Sequence, residues 1–184
     1  DIELLSSQVE RCNEILKRLT LNPVEEDEFI DKDLTMKDYL SEIILSFKEI
    51  SKKKFIFNYD QFSNIKKITK SIEIVYGLRN FIGNANKFSK ETIYINLKSD
   101  SEMTEITIED DGNGYPKDVL SKIGEPYLRS KNHIDKPKTG LGLGLFIGKT
   151  LLEKNFASIN CRNSETRSGA EVIIKWNNKD LFNI

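Results

Sequence analysis

Hydrophobic residues recur along the chain at spacings that change from helical to strand-like and back. Near the start, steps of three and four place a row of residues on one seam: Ile2, Leu5, Val9, Cys12, Leu16 and Leu19. This heptad spacing predicts a helix over residues 1–22 that packs against a partner helix. A helix that lies on its own domain would show the same pattern. Asn22-Pro23 ends the pattern, and the acidic, aperiodic residues 23–35 are predicted to be a linker.

The rest of the chain alternates between helices and strands. Apolar residues on one face predict helices over residues 36–51, 72–88 and 143–155, with a short helix after Pro116. The inner face of the first of these is predicted to hold Tyr39, Leu40, Ile43, Ile44, Phe47 and Ile50. Strands are predicted at residues 55–59, 92–98, 104–110, 158–163 and 170–176, of which the second and third form a hairpin. This mixture favours an α+β fold with a largely antiparallel sheet.

Composition and charge narrow the classes of function. The 28 basic and 29 acidic residues nearly cancel, so nothing favours binding to nucleic acid or contact with an anionic membrane. No apolar run approaches the roughly 18 to 20 residues of a membrane helix. The two cysteines, Cys12 and Cys161, suggest neither a disulfide framework nor a zinc site. The chain starts at Asp1 without a signal-peptide pattern, so we expect a cytoplasmic piece of a longer protein.

Glycines concentrate in two short segments. Five of the ten glycines are Gly112 and Gly114 in DDGNGYP and Gly140, Gly142 and Gly144 in GLGLGL. Turns would account for one such cluster, whereas a ligand that lies against the backbone would account for both. The second segment leads directly into a predicted helix, whose first N–H groups can hold phosphate. It matches neither the Walker nor the Rossmann pattern.

Polar residues accompany these segments. Asp110 ends a predicted strand just before the first glycine pair, where its carboxylate can accept a hydrogen bond from an exocyclic amine, although Asp-Asp-Gly is also a turn signal. Asn80, Asn84 and Lys87 follow at helical steps of four and three and share one helix face. An amide oxygen can ligate Mg²⁺ and a lysine can neutralise phosphate charge. A solvated stripe on a surface helix would look the same.

Taken in order, these residues resemble the four sequence boxes of the ATP-binding domain of sensor histidine kinases. The asparagine box is Asn80 to Phe88, the first glycine box Asp110 to Gly114, the phenylalanine box Glu125-Pro126-Tyr127 and the second glycine box Gly140 to Leu145. The resemblance covers roughly residues 36–176. It implies the Bergerat fold, a two-layer α/β sandwich shared with type II topoisomerases, a class of heat-shock chaperones and mismatch-repair ATPases. Residues 36–184 are accordingly expected to be the catalytic domain.

The resemblance also implies roles for individual residues. Asn84 would coordinate Mg²⁺, and Asn80 and Lys87 would contact the phosphates or the metal shell as catalytic residues. Asp110 would bind the adenine amine, and Phe88 would pack beside the adenine. Residues 125–139 would form a lid over ATP, with the cations Arg129, Lys131, Lys136 and Lys138. The other residues expected to bind the nucleotide are Gly112, Gly114, Tyr127, Lys138, Gly140, Leu141, Gly142, Leu143 and Gly144.

A finer likeness is to the RegB/PrrB group of redox-responsive sensor kinases. It depends on QVERCNEIL in the first helix and on GEPYLRS followed by GLGLGLFIGKTLLEK. In that group a cysteine of the dimerisation hairpin is linked to redox sensing, and Cys12 falls at the matching place. The residues alone show a cysteine on a heptad seam, for which a small buried apolar role is the alternative. The resemblance implies a homodimer and a response-regulator receiver domain as partners.

The phosphoacceptor is expected outside this chain. Its single histidine, His133, lies in the predicted lid and lacks the residues of a histidine box, so we expect the fragment to bind Mg-ATP without phosphorylating itself. Water-activating members of the superfamily usually carry a Glu where Asn80 stands, which favours a kinase over a hydrolase. A serine kinase of the same fold and a nucleotide-binding scaffold stay open. The sequence also leaves open whether the full protein is anchored in the inner membrane.

Overall fold

A computed structural model describes residues 34–61, 67–68, 71–126 and 143–182, which belong to one structural unit, Asp33–Ile184. The predicted helix over residues 1–22, with Cys12, lies outside the described residues. So do the predicted linker, apart from Leu34 and Thr35, and residues 127–142, which include most of the predicted lid. Among the helices that the structure does describe, none has both the length and the apolar character needed to cross a membrane.

Five helices and seven strands are described. In chain order they are β1 (Leu34–Thr35), α1 (Met36–Ile50), β2 (Lys54–Tyr59), β3 (Lys67–Ile68), α2 (Ile72–Phe88), β4 (Thr92–Ser99), β5 (Met103–Asp110), α3 (Lys117–Leu120), α4 (Gly144–Lys154), β6 (Ser158–Asn163), β7 (Ala170–Asn177) and α5 (Asn178–Leu181). Every helix and strand predicted within the described residues is present, to within one or two residues at its ends. The short elements β1, β3 and α5 were not predicted, because two to four residues carry no periodic signal.

The main sheet has five strands in the order β2–β4–β5–β7–β6. Strand β2 runs parallel to β4, and every other neighbouring pair is antiparallel. Strands β1 and β3 form a separate antiparallel pair. The predicted α+β class, with a mixed and largely antiparallel sheet, is therefore confirmed. The register sets Asp110, the last residue of β5, opposite Ile93 at the start of β4.

One hydrophobic core joins the helices to one face of this sheet. Most of its fully buried side chains come from α1, α2 and strands β4, β5 and β7, and include Leu40, Ile43, Leu78, Phe81, Ile82, Ile93, Ile95, Ile106, Ile108, Ile174 and Trp176. The apolar positions of α2 at Ile74, Leu78, Phe81, Ile82 and Ala85 and the alternating isoleucines of β4 and β5 are all buried. The prediction for Ile50 was wrong, because this last residue of α1 is 77% exposed where the chain leaves the helix at Ser51.

The two helices nearest the glycine segments pack closely because each carries a glycine at the contact. A Cβ on Gly77 of α2 would lie 2.5 Å from Cγ of Leu152, and one on Gly148 of α4 would lie 3.1 Å from Cβ of Asn80. A Cβ at Gly77 would force Leu152 to move, and one at Gly148 would require its neighbours to shift by a few tenths of an ångström. This close approach brings the first turn of α4 beside the middle of α2, where Asn80 lies.

Candidate functional site

Asp110 lies at the end of β5 with its carboxylate buried and held by backbone donors. The residue is 2% exposed, and its Oδ1 accepts hydrogen bonds from the N–H groups of Gly112, at 2.8 Å, and Ala170, at 3.3 Å. Burial raises the pKa of Asp110, and the two N–H donors and the cation of Lys53 only partly oppose this rise. The site therefore contains a carboxylate with a fixed orientation and an elevated pKa.

The first glycine pair lets the backbone pass close to two neighbouring segments. A Cβ on Gly112 would lie 2.4 Å from the carbonyl oxygen of Phe88, so only glycine fits between β5 and the end of α2. Gly114 has a φ of +72°, in the left-handed region that favours glycine. The loop is held to β6 by Asn163, whose Oδ1 accepts from Tyr115 N at 2.6 Å and whose Nδ2 donates to Tyr115 O at 3.1 Å.

A third glycine, which the sequence analysis did not select, makes the closest approach to Asp110. A Cβ on Gly169 would lie 1.8 Å from the carbonyl oxygen of Asp110 and 2.6 Å from its Oδ1. This glycine ends the hairpin between β6 and β7, next to the N–H of Ala170 that binds the carboxylate. A lone glycine at the start of a predicted strand is a known sign of close backbone approach, and this signal could have identified it.

Helix α2 contributes the predicted polar face. Asn80 and Asn84 are half-buried, whereas Lys87 is exposed and its Nζ lies 5.1 Å from the centroid of the Phe88 ring. Nδ2 of Asn80 donates to the carbonyl oxygen of Tyr76 at 2.9 Å. Helical steps of four and three put Asn80, Asn84 and Lys87 along one side of α2, in agreement with the sequence pattern.

The structure brings one glycine of each segment, Gly112 and Gly144, to the same helix. At the middle of α2, Oδ1 of Asn80 lies 3.6 Å from the position that a Cβ on Gly144 would take. At its end, the Phe88 carbonyl touches Gly112. Leu143 is buried and its carbonyl accepts from Ile147 N at 2.9 Å, which starts α4 directly beside Asn80. Two segments that lie about thirty residues apart in sequence therefore flank one helix.

The turn that follows α2 is fixed by two charged residues that sequence reasoning missed. The Asp111 carboxylate accepts from the N–H groups of Lys90, at 2.7 Å, and Thr92, at 2.9 Å. Desolvation tends to raise the pKa of Asp111, but these backbone donors outweigh it and the pKa is lowered. Nζ of Lys53 donates to the carbonyl oxygens of Asn86 and Ser89 at the end of α2. No local pattern in the sequence marks either contact.

Several predicted site residues lie outside the described residues, namely Tyr127, Lys138, Gly140, Leu141 and Gly142. Within the described part of the chain, no group of three or more His, Cys, Asp and Glu side chains could hold a metal ion. Magnesium in nucleotide sites is commonly bound by few protein groups plus substrate phosphates and water.

Comparison with known families agrees with this arrangement. The profile of the family described as "Histidine kinase-, DNA gyrase B-, and HSP90-like ATPase" matches residues 69–180. These residues include α2, both glycine segments and the β6–β7 hairpin, and with them Asp110 and its backbone donors at Gly112 and Ala170.

Comparisons with individual proteins likewise give histidine kinases. The chain is 30% identical to the sensor histidine kinase RegB of Cereibacter sphaeroides over 194 residues, which cover 96% of this chain and 42% of RegB. Its fold is similar to the catalytic domain of the histidine kinase ThkA, with a TM-score of 0.65 and 21% identity over 78% of this chain and 93% of that one. Full-length ShkA, solved in complex with AMPPNP, has a TM-score of 0.63 and 19% identity, over 79% of this chain and 30% of ShkA. The predicted likeness to the RegB group is confirmed.

Proposed function

Because the chain belongs to the family of histidine kinase-, DNA gyrase B- and HSP90-like ATPases, we propose that residues 36–184 are the Mg-ATP-binding catalytic domain of a sensor histidine kinase. The main support is the environment of Asp110, a buried carboxylate fixed by two N–H donors at the end of a strand and bordered by glycine backbone. The chain spans 42% of the length of RegB, so the remaining steps of such a kinase would take place on other segments.

The adenine would bind against Asp110. Its exocyclic amine donates to the carboxylate, whose other hydrogen bonds already set its orientation. Gly112 lets the end of β5 lie directly against the Phe88 carbonyl, and the half-exposed ring of Phe88 lies at the adjoining end of α2. The solved relative ShkA holds AMPPNP, an analogue of ATP. Binding of ATP would account for the proximity of Asp110, Gly112 and Phe88.

The phosphates would lie along α2 towards the start of α4. Asn80 and the exposed Lys87 would contact them, and the first N–H groups of α4, an 11-residue helix that begins at Gly144, would add the positive end of a helix dipole. Asn84 would hold Mg²⁺ through its side-chain oxygen, a hard donor that suits this ion. The ion would neutralise phosphate charge. The lid residues predicted between 125 and 139 would contribute further cations.

These side chains suit transfer to an imidazole better than hydrolysis. The amide of Asn80 cannot take a proton at neutral pH, so it would position the phosphates and would not activate water. A neutral imidazole already presents a lone pair, and the task of the protein is then to align it with the phosphate and balance charge. The acceptor histidine would lie on a dimerisation hairpin of the full homodimer, and the phosphoryl group would pass to an Asp of a response-regulator receiver domain.

Calorimetric titration with a non-hydrolysable ATP analogue, with and without Mg²⁺, tests this proposal. We expect micromolar to millimolar binding that requires Mg²⁺, is lost in Asn84→Ala, and loses its preference for adenine over guanine in Asp110→Asn. Asn160→Ala is the matched control, because Asn160 is an exposed residue of the edge strand β6 and its removal should leave binding unchanged. Absence of binding by folded wild-type protein, or equal binding by Asn84→Ala, would contradict the proposal.

A further inference from the structure

A second buried carboxylate lies directly behind Asp110, on the other face of the sheet. Glu109 precedes Asp110 in β5, and successive strand residues point to opposite faces, so Glu109 lies opposite the core residues Ile106 and Ile108. Its side chain is only 9% exposed. A carboxylate on the outer face of a sheet is usually hydrated, so this degree of burial indicates that other groups cover it and satisfy its charge.

The side chains that hydrogen-bond to Glu109 come from the loop between β6 and β7. Oε1 accepts from Ser164 Oγ at 2.8 Å and from Thr166 Oγ1 at 3.4 Å, and Oε2 accepts from Arg167 Nε at 3.3 Å. The guanidinium of Arg167 also lies 3.7 Å from the ring centroid of Tyr94, the residue opposite Glu109 on β4. One carboxylate and one aromatic ring therefore anchor the whole hairpin loop to the sheet.

Hydrogen bonds within the β6–β7 loop also fix its backbone conformation. Ser164 Oγ accepts from the N–H groups of Thr166 and Arg167, at 3.2 and 3.1 Å, and Ser164 N donates to the carbonyl of Gly169 at 2.8 Å. Ser168 has a φ of +61°, a conformation that a residue other than glycine adopts only when its surroundings hold it there. The contacts to Glu109 supply such a hold.

The same loop delivers the backbone that orients Asp110. Its last residue is Gly169, which lies against the Asp110 carbonyl, and the next N–H, that of Ala170, donates to Asp110 Oδ1. Detachment of the loop from Glu109 would release this donor and the wall formed by Gly169. The position of the loop on the outer face thus determines the surroundings of Asp110 on the inner face.

We propose that Glu109 is a positioning residue of the nucleotide site, which binds the β6–β7 loop on one face of the sheet and so holds Gly169 and Ala170 against Asp110 on the other. It contacts no nucleotide itself. This inference rests on the proposed function, since it concerns how the residue assigned to the adenine is held. It assigns a role in nucleotide affinity to Glu109 and, through it, to Arg167.

A matched control is available on the same strand and the same face. Glu105 lies four residues before Glu109 and forms an ion pair with Lys175, with 2.7 Å between Oε2 and Nζ. This pair also joins β5 to β7, but it lies near the far end of the sheet from the hairpin loop. Glu105→Gln and Lys175→Ala therefore remove an ion pair from this face without touching the loop.

The test compares Glu109→Gln and Arg167→Ala with these two controls. In ligand-free protein, we expect amide hydrogen exchange at Ala170 to become about tenfold faster in both test variants and to stay at the wild-type rate in both controls. We expect the dissociation constant for an ATP analogue to rise about fivefold or more in the test variants only. The double variant should be little weaker than either single variant, because both act through one anchor.

Two results would decide otherwise. If wild type binds the analogue and Glu109→Gln behaves like Glu105→Gln in both readouts, the positioning role is overturned and the proposed function stands. If wild type binds no nucleotide, the proposed function falls and the role in affinity falls with it, whatever the exchange rates. Should Glu109→Gln fail to fold, Arg167→Ala carries the test. The Arg167 side chain is 38% exposed, and without it the Glu109 carboxylate still accepts hydrogen bonds from Ser164 and Thr166.

Discussion

The proposed role of Asp110 in nucleotide binding conflicts with its contribution to the stability of the fold. Asp110 is buried and its pKa is raised mainly by desolvation, so the folded protein disfavours the charge that an adenine amine would require as its acceptor. Surrounding glycines increase this burial, since Gly112 and Gly169 allow backbone to lie where side chains would otherwise stand. A carboxylate kept in such a place at the expense of stability is typical of a residue retained for binding.

Asp110→Asn is therefore expected to raise the free energy of unfolding at neutral pH while it removes adenine selectivity. The pKa of Asp110 is higher in the folded than in the unfolded state, so wild-type stability falls as pH rises through the folded-state pKa. The difference in free energy of unfolding between Asp110→Asn and wild type should accordingly shrink as the pH is lowered, because Asp110 of the wild type then takes up a proton. Urea unfolding at about pH 7 and about pH 4 measures this difference.

Asp100→Asn provides a control of opposite sign. The pKa of Asp100 is lowered, chiefly because the N–H groups of Met103 and Glu102 bind its carboxylate. Its stabilising contribution is present above the unfolded-state pKa and is lost as pH falls, so the substitution should lower stability at neutral pH. A destabilised Asp110→Asn would contradict the burial argument.

Among the helices and strands, predictability followed the strength of the local pattern. Helix α2 was predicted over residues 72–88, where it begins and ends in the structure, because its apolar face is regular. The structure adds a Ser71 cap that accepts from Ile74 N. Its polar face with Asn80, Asn84 and Lys87 followed from the same period. The strands of the β4–β5 hairpin were equally clear, since their buried residues alternate.

The features that were missed all depend on contacts between distant segments. In the sequence, Glu109 is one polar residue of an alternating strand. It is buried only because the β6–β7 loop folds over it. Asn163 and Lys53 bind backbone groups that lie 48 and 33 or more residues away in sequence. Sequence patterns report local period and turn chemistry, whereas these contacts are set by tertiary packing.

The junction between α2 and α4 depends on a buried asparagine. Asn155, at the end of α4, accepts from Ser71 Oγ at 3.1 Å and donates to Glu73 Oε2 at 2.7 Å, and its carbonyl accepts from Trp176 Nε1 at 3.0 Å. Asn155→Ala removes the side-chain hydrogen bonds and leaves the Ser71 hydroxyl without the acceptor Oδ1 of Asn155. We expect a loss of about 1 to 3 kcal/mol in the free energy of unfolding.

Chemical denaturation followed by tryptophan fluorescence measures this loss, because Trp176 is a fully buried residue of the same contact. The control is Asn160→Ala on the exposed edge strand, which should change stability by no more than about 0.5 kcal/mol. Equal stability of the two variants would show that the Asn155 bonds do not hold α2 to α4.

At the scale of the whole molecule, the sequence was sufficient to predict both the fold class and the family. Four ordered boxes carried the resemblance, and the family profile covers the residues that surround Asp110. The chain spans 42% of the length of RegB. The redox role proposed for Cys12 and the roles of the lid residues stay predictions, because those residues lie outside the described part of the chain.

Phosphoryl transfer in trans tests the central claim most directly. The protein would be incubated with ATP labelled at the γ-phosphate, with and without a separately supplied dimerisation domain that carries a phosphoacceptor histidine. We predict acid-labile label on the added domain alone, none on the protein itself, and loss of the label with Asn84→Ala. Stoichiometric acid-labile phosphate on the protein without an added acceptor, or an acid-stable product, would contradict the assignment as the ATP-binding half of a histidine kinase.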